Sequence, residues 1–245
     1  MNDWFMHFGT ELIGTMVLIL LGNGVVANVV LKNTKGNNGG LIAITIGWAV
    51  AVILGATIAS AMGGKAHLNP AVTIAMISNG WEKNVGSFYL LPLILLGQIL
   101  GAILAQVILD IFYIKHITHT ISENEPSMVL AMHSTGPTYR NIVLNFFSEF
   151  IGTAVLILAI FASATWFKTA NFMGPIFVGI AVLAIGLSLG GTTGYAINPV
   201  RDLMPRIVYQ CLPVKNKVKA DWQYSWIPVA APLAAGVIVG LLFLI

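Results

Sequence analysis

Residues 11–20 read ELIGTMVLIL, and residues 149–158 read EFIGTAVLIL, so one stretch of this chain occurs twice. An Asn-Pro pair follows each copy, Asn69-Pro70 in the first half and Asn198-Pro199 in the second. Each pair opens a hydrophobic stretch that is too short to cross a bilayer. Paired interrupted segments at matching places in two halves of a membrane protein indicate its permeation site.

The composition places the chain in a membrane. Of the 245 residues, 57% are hydrophobic and only 9% are charged, whereas soluble domains carry about 25% charged residues. A spanning helix needs about 20 apolar residues, so the charge-free runs predict six spans with both termini on one side. These runs are Leu12–Leu31, Leu41–Gly64, Asn84–Leu109, Phe150–Phe167, Thr169–Gly194 and Trp222–Ile245.

The chain divides into two similar halves around a polar connection. We expect residues 1–113 to form the first repeat, residues 114–142 a connecting loop and residues 143–245 the second repeat. Each repeat has three spans and one half-helix, the third helix ends near Ile111, and a turn is predicted over Lys168–Asn171. An odd number of crossings per half means that the two halves are inverted relative to each other. Close helix packing is predicted at three small-residue pairs, Gly97/Gly101, Gly186/Gly190 and Gly236/Gly240.

The two Asn-Pro pairs predict a specific chemistry. Asn is a preferred N-cap and Pro is favoured at the first helical position, so each pair starts a helix. If the two half-helices meet at mid-membrane, two positive helix ends point at one spot. The amides of Asn69 and Asn198 then offer donors, and the carbonyls of Lys65–Leu68 and Gly194–Ile197 offer acceptors. Such a lane suits small neutral polar solutes, and its positive centre repels cations.

The two motifs resemble the signatures of a known family. Residues 67–73 (HLNPAVT) and 194–202 (GYAINPVRD) are similar to the paired motifs of the aquaporin and glycerol-facilitator family, and the resemblance covers essentially the whole chain. It implies an all-α membrane protein with six tilted helices and two re-entrant half-helices around one pore per subunit. It further implies a homotetramer in the plasma membrane, both termini cytoplasmic, with membrane lipid and a small neutral solute as partners. No cofactor, metal or nucleic acid is expected.

The charge distribution opposes the orientation that the resemblance implies. Basic residues favour the cytoplasmic side of membrane proteins. With a cytoplasmic amino terminus, the inner loops hold only Lys65, Lys83 and Lys168, and the outer loops hold Lys32, Lys35, Lys115, Arg140, Lys215, Lys217 and Lys219. We give the resemblance precedence, because the charge bias is a statistical tendency. The single cysteine, Cys211, is then expected on the outer side.

Residues after the second motif favour the glycerol-facilitator branch. In that branch Asp follows the motif Arg, as Asp202 follows Arg201 here. A basic residue lies a few positions on, matched by Arg206 after Pro205, and the last helix carries Pro228-Val229.

The narrow filter that the resemblance implies points the same way. Arg201 is its fixed cation and Tyr195 aligns with an aromatic filter residue. Gly186 lies where facilitators leave space that water channels fill with His. Trp48 is the candidate for the second aromatic, and Ala49 is the alternative. An aromatic corner opposite an arginine matches a polyol, with C–H edges against rings and hydroxyls toward the guanidinium.

The resemblance assigns further roles along both loops. The pore centre comprises Asn69, Pro70, Ala71, Asn198, Pro199 and Val200. The pore-lining backbone comprises Lys65, Ala66, His67, Leu68, Gly194, Ala196 and Ile197. Loop support comes from Glu11, Glu149, Gln98 and Asp202. The departures from the family pattern are Val200 for a usual Ala, Lys65 for a small residue, and Leu203-Met204 for Phe-Gly.

The function predicted from these residues is passive diffusion of glycerol and other small uncharged polyols, with some water permeability. Undissociated lactic acid, dihydroxyacetone or water alone are alternative solutes. A proton-coupled secondary transporter also uses inverted repeats, and Glu11 and Glu149 are then its proton relay rather than acceptors for the loop backbone. An enzyme is not expected, because the sequence offers no nucleophile–base pair or metal cluster.

Overall fold

The computed structural model describes residues 5–166 and 173–244, which contain helices and loops and no strand. A π-helical turn, Phe5–Gly9, leads into the first helix, and a 3₁₀ turn, Phe88–Leu90, leads into the fifth. The helices in chain order are α1 (Thr10–Val30), α2 (Gly40–Ala61), α3 (Pro70–Ser78), α4 (Trp81–Asn84), α5 (Leu91–Ser122), α6 (Pro126–Ala131), α7 (Ile142–Trp166), α8 (Met173–Leu189), α9 (Pro199–Cys211), α10 (Trp222–Ser225) and α11 (Ile227–Leu242).

The long helices match the predicted spans. Five helical segments of the described chain, each of 21 to 35 residues, are long and apolar enough to cross a membrane. They contain α1, α2, α5, α7 and α11, and α8 adds a further apolar helix of 17 residues. The predicted turn at Lys168–Asn171, just before α8, lies outside the described residues. The all-α membrane fold predicted from the sequence is therefore observed.

The two helices that follow the Asn-Pro pairs are too short to span a bilayer. At about 1.5 Å per residue, the nine residues of α3 and the 13 residues of α9 reach about 14 Å and about 20 Å, against a hydrocarbon core of about 30 Å. Both begin with the proline of an Asn-Pro pair, as predicted. These half-helices position the candidate site.

Glycine lets α5 lie directly against the backbone of the first span. A Cβ atom added at Gly97 would lie 2.5 Å from the carbonyl oxygen of Phe8, and one at Gly101 would overlap the carbonyl oxygen of Leu12. Real Cβ atoms do not approach backbone so closely. The predicted close packing at this pair is therefore present.

The same device holds the first half-helix against α11. A Cβ atom at Gly236 would lie 2.5 Å from the carbonyl oxygen of Ala71, and one at Gly240 would lie 2.6 Å from that of Ala75. Ala71 and Ala75, whose carbonyl oxygens are approached, both belong to α3. The last helix of the second half thus supports the half-helix of the first half.

Helix α5 is longer than the sequence indicated. It continues past the predicted end near Ile111 to Ser122. The charged and histidine residues of this stretch do not stop a helix, and Ile117 packs in the core. The stop signals come later, at Asn124 with a φ of 61° and at Pro126. The change from apolar to polar residues after Ile111 therefore does not mark the end of the helix, and the predicted end was wrong.

Candidate permeation pathway

The loops before the two half-helices share an unusual backbone. Ala66 and Leu68 have φ angles of 55° and 51°, and Tyr195 and Ile197 have φ angles of 40° and 44°. These four residues stand three and one positions before Asn69 and Asn198 respectively. Residues with a Cβ rarely adopt positive φ, and each such residue costs about 1–3 kcal/mol. The strain must therefore be offset by contacts of the loops.

A buried carboxylate supplies those contacts in the first loop. Glu11 Oε1 accepts a hydrogen bond from the His67 amide at 2.7 Å, and Oε2 accepts one from the Leu68 amide at 2.7 Å. Gln98 Nε2 donates to Oε2 at 2.9 Å and also to the Thr73 hydroxyl at 3.0 Å. Glu11 therefore ties the irregular backbone to α1 and α5.

The second loop repeats the arrangement with a different third donor. Glu149 Oε2 accepts from the Ile197 amide at 2.9 Å, and Oε1 accepts from the Ala196 amide at 3.1 Å. The Thr193 hydroxyl also donates to Oε1, at 2.7 Å. Each glutamate thus receives three hydrogen bonds. This saturation favours a supporting role for both glutamates over the alternative of a proton relay.

The Asn-Pro pairs join the two half-helices end to end. Asn69 Nδ2 donates to the Ile197 carbonyl at 2.8 Å, and Asn198 Nδ2 donates to the Leu68 carbonyl at 2.9 Å. Each amide group therefore bonds to the loop of the other half. Because an NH₂ group has two hydrogens, each asparagine keeps one further donor.

The amide oxygens of the same side chains cap their own helices. Asn69 Oδ1 accepts from the Ala71 amide at 2.8 Å, and Asn198 Oδ1 accepts from the Val200 amide at 3.2 Å and the Arg201 amide at 3.4 Å. The predicted N-caps are present in both helices. Two positive helix ends therefore meet at one place.

A cavity of about 230 Å³ runs along this meeting place. Its polar lining comes mainly from the two loops and from Arg201 of α9, with Ser60 and Ser163 adding a hydroxyl each. Its apolar lining comes mainly from α2, α7 and α8, through Val52, Ala56, Leu156, Val178 and Val182. Because these residues belong to uniformly hydrophobic helices, nothing in the sequence marked them.

Most of the residues predicted to form the pore centre and the pore-lining backbone line the cavity, and several do not. Those on the lining are Lys65, Ala66, His67, Leu68, Asn69, Ala196, Ile197 and Asn198. Those that do not line it are Pro70, Ala71, Gly186, Gly194, Pro199 and Val200, together with the supporting Glu11, Gln98, Glu149 and Asp202. Gly194 instead faces Thr135, whose Cβ would lie 3.2 Å from an added Cβ.

Trp48, Tyr195 and Arg201 line the cavity together, and Ala49 does not. The guanidinium carbon of Arg201 lies 4.2 Å from the ring centroid of Trp48, within the range of a cation–π contact. The indole Nε1 of Trp48 and the hydroxyl of Tyr195 are buried and have no hydrogen-bond partner among the described residues. These side chains therefore leave unpaired hydrogen-bonding groups beside the cavity.

Gly186 gives space to an aromatic ring rather than directly to the cavity. A Cβ atom at Gly186 would lie 2.9 Å from Cζ of Tyr195, and one at Gly190 would overlap Cδ1 of the same ring. The ring of Tyr195 thus lies against Gly186 of α8 and Gly190, which directly follows this helix. The sequence indicated space at Gly186 without showing that Tyr195 fills it.

A buried ion pair stands directly behind Arg201. Asp202 Oδ1 accepts hydrogen bonds from Arg206 Nη2 at 2.7 Å and from Nε at 3.0 Å. Asp202 Oδ2 accepts from both the amide and the hydroxyl of Thr135 at 2.7 Å. Thr135 could not be predicted from the sequence, because a threonine in a polar connection carries no signal of such a contact.

This fold, with two half-helices meeting over a cavity inside a helical bundle, defines a membrane protein with a solute pathway through its own subunit. The chain belongs to the major intrinsic protein family, whose model matches residues 3–243. The family resemblance predicted from the two Asn-Pro motifs is confirmed.

Relatives and a solved structure cover nearly the whole chain. The glycerol uptake facilitator protein of Streptococcus pneumoniae is 45% identical over an alignment of 246 positions that covers 99% of this chain and 98% of the relative. Glycerol uptake facilitator protein 3 of Lactiplantibacillus plantarum is 45% identical over 236 residues, 95% of this chain and 93% of the relative. The X-ray structure of the aquaglyceroporin from Plasmodium falciparum superposes with a TM-score of 0.80 at 29% identity, covering 98% of this chain and 95% of that one.

Proposed function

We propose that this protein is a passive channel through which glycerol and other small uncharged polyols diffuse across the membrane, together with some water. The observation that carries the proposal is that Trp48, Tyr195 and Arg201 line the cavity together, with the Arg201 guanidinium carbon 4.2 Å from the Trp48 ring centroid. We propose that these three residues form the constriction of the pathway. Relatives named as glycerol uptake facilitators, 45% identical over nearly the whole chain, support the same solute class.

The chemistry of the constriction suits a polyol. A polyol presents hydroxyl groups and C–H edges, so it needs hydrogen-bond partners on one side and apolar contact on the other. The Arg201 guanidinium donates no hydrogen bond to the described part of the chain, and its charge favours hydroxyl oxygens. The rings of Trp48 and Tyr195 offer the apolar contact. Arg201 also disfavours cations by repulsion.

Beyond the constriction, the two loops provide the solute with a continuous set of partners. The carbonyl oxygens of Ala66, His67, Tyr195 and Ala196 accept no hydrogen bond from the described residues. The remaining N–H groups of Asn69 and Asn198 add two donors at the centre. Apolar residues of α2, α7 and α8 complete the lining, so a solute keeps its hydrogen bonds along one strip only.

The channel performs no chemical step on its solute. The two buried carboxylates nearest the pathway are occupied by loop donors, so neither serves as a base toward a bound polyol. A passive channel accordingly needs no cofactor. The wider organisation belongs to the same proposal: two inverted halves at residues 1–113 and 143–245, a homotetramer in the plasma membrane, and both termini in the cytoplasm.

Stopped-flow light scattering on proteoliposomes tests the proposal. Under a glycerol gradient, without an ion or proton gradient, we expect rapid and non-saturating re-swelling above that of empty liposomes. Lactic acid at acidic pH, dihydroxyacetone and water are measured on the same vesicles. Flux of one of these without glycerol flux would overturn the polyol assignment.

A proton-coupled transporter predicts a different pattern. Its uptake saturates, follows an imposed proton gradient and disappears in Glu11→Gln or Glu149→Gln protein even where folding is intact. A passive channel predicts flux that scales with the amount of folded Gln variant and ignores the proton gradient.

A further inference from the structure

A second buried charged cluster lies away from the cavity, where α5 meets the segment after α6. His133 Nε2 lies 2.8 Å from Asp110 Oδ1, and both side chains are buried. Gln106 Nε2 donates to the same oxygen at 2.9 Å. Asn23 Nδ2 donates to Gln106 Oε1 at 2.7 Å and to the His133 carbonyl at 3.2 Å. The cluster therefore links α1, α5 and the backbone of His133.

The two ring nitrogens of His133 have different neighbours. His133 Nδ1 lies 2.6 Å from the Val129 carbonyl, which only accepts, so Nδ1 carries a proton. Nε2 lies 2.8 Å from Asp110 Oδ1 and has no hydrogen-bond partner among the described residues, so the two groups form a close polar contact. His133 and Asp110 are thus matched partners. Removing the imidazole alone leaves the buried Asp110 carboxyl with Gln106 as its remaining partner among the described residues, and losing a polar contact at a buried group is costly.

The segment that begins at His133 leads directly to the constriction. Two residues on, Thr135 donates its amide and hydroxyl to Asp202 Oδ2 at 2.7 Å, and its carbonyl accepts from Arg206 Nη2 at 2.8 Å. Asp202 is the neighbour of Arg201 on α9. The segment 133–135 therefore joins the buried His133–Asp110 pair to the turn of α9 that carries the filter arginine.

The residues that follow, up to Thr138, contact the loop that carries Tyr195 on the other side of the constriction. The Thr138 amide donates to the Thr192 carbonyl at 3.0 Å, and its hydroxyl donates to the Gly191 carbonyl at 3.1 Å. Thr135 packs against Gly194, one residue before Tyr195. Residues 133–138 thus contact both α9, which carries Arg201, and the loop that carries Tyr195.

We propose that His133 and Asp110 are positioning residues for the filter, which fix the segment 133–138 and thereby set the distance between Arg201 and the aromatic rings. The pair touches no solute and acts through Thr135 and Asp202. This inference rests on the proposed polyol channel function. The pair sets which polyols pass rather than whether the channel conducts.

Four variants test the pair in proteoliposomes, with the ratio of glycerol permeability to that of a four-carbon polyol as readout. H133F keeps a ring beside Tyr209, whose centroid is 5.0 Å away, but removes the imidazole beside Asp110. D110N keeps an acceptor for Gln106 and removes the carboxylate, and H133F/D110N removes both members of the pair. H119F, a histidine change on α5 outside the cluster, is the matched control.

We expect H133F to lower the ratio by about two- to thirtyfold, the range in which substitutions outside a site alter coupling. H133F/D110N lowers the ratio to a similar extent, because the pair is lost in both variants. D110N lowers it less, because it keeps an oxygen acceptor, and H119F equals the unmodified protein. The ratio does not depend on the amount of folded channel, so a purely structural role would leave it unchanged in H133F. That result would overturn the inference.

Thr135→Val gives an independent route if H133F does not assemble. It removes the hydroxyl that donates to Asp202 while keeping the cluster intact, and it lowers the ratio if the connection is real. An unchanged ratio in T135V would refute the connection. Absence of glycerol flux in the unmodified protein would instead reject the proposed function, so the two failures are distinguishable.

Discussion

The two loop-and-half-helix units share one frame and differ in the side chains that they bring to the cavity, most of all at two matched positions. In both units a glutamate receives three hydrogen bonds, an asparagine caps the half-helix, and positive φ angles occur three and one residues before it. Ala66 in the first unit corresponds to Tyr195 in the second, and Val72 corresponds to Arg201. All four line the cavity.

This comparison separates what the duplication supplies from what the second copy adds. The shared frame brings two helix ends together at the centre of the pathway. The first unit keeps small or apolar side chains at both positions, and α3 contains no charged residue. The second unit carries Tyr195 and Arg201 there, with Asp202 and Arg206 behind them. We therefore expect the second unit, together with Trp48 of α2, to set the selectivity, and both units to supply the frame.

Removing a supporting carboxylate tests the shared frame and has the largest expected effect. Glu11→Ala and Glu149→Ala each leave three buried donors unpaired, at about 1–3 kcal/mol per donor. We expect both variants to show a strongly lowered unfolding temperature in a thermal unfolding assay. The decrease should be similar in the two, and most of each variant should be unfolded. Glu82→Ala, an exposed acid on α4, is the control. Normal stability in one of the two variants would show that the frame is not symmetric.

Placing a large side chain at Gly186 tests the aromatic side of the second unit. In Gly186→His the new side chain occupies the space of the Tyr195 ring and also meets Thr45, so the ring moves toward the pathway. We expect a strong fall in glycerol permeability with water permeability largely kept. Gly191→His, where an added Cβ meets nothing within 4 Å, is the matched control. Equal glycerol flux in both variants would mean that Tyr195 does not narrow the pathway.

Converting Arg201 to the residue of the first unit tests the arginine side. Arg201→Val matches Val72 and removes the donor and the cation from the constriction. We expect glycerol to lose its advantage over larger polyols by about tenfold, the equivalent of one charged hydrogen bond of about 1.4 kcal/mol. Arg201→Ala relaxes selectivity in the same direction. An unchanged ranking of solutes would remove Arg201 from the filter.

The smallest effect is expected at Lys65, where the first unit has a charge in place of the usual small residue. Lys65 lines the cavity and is exposed, so its charge is screened by salt. We expect Lys65→Ala to change glycerol flux by less than about twofold, since exposed charges contribute little. A large change in lactic acid flux with no change in glycerol flux would favour the acid as solute.

The sequence predicted the shared frame well and the second unit only in part. Repetition revealed the Asn-Pro helix starts and the loops, because each half provides a copy of the same signal. The exchange of hydrogen bonds between Asn69 and the Ile197 carbonyl joins residues 128 positions apart, and no local pattern encodes such a contact. The ring of Tyr195 over Gly186 was hidden for the same reason. Thr135 was missed because its partner, Asp202, is 67 residues away.

Blocking the cavity with a thiol reagent tests the central claim most directly. Ala56 lines the cavity on α2, and Cys211, the single native cysteine, is exposed and is not part of the cavity lining. We expect a small methanethiosulfonate reagent to abolish glycerol flux in A56C/C211S proteoliposomes and to leave the Cys211 protein conducting. Complete modification of A56C/C211S with undiminished glycerol flux would show that solute does not pass through this cavity.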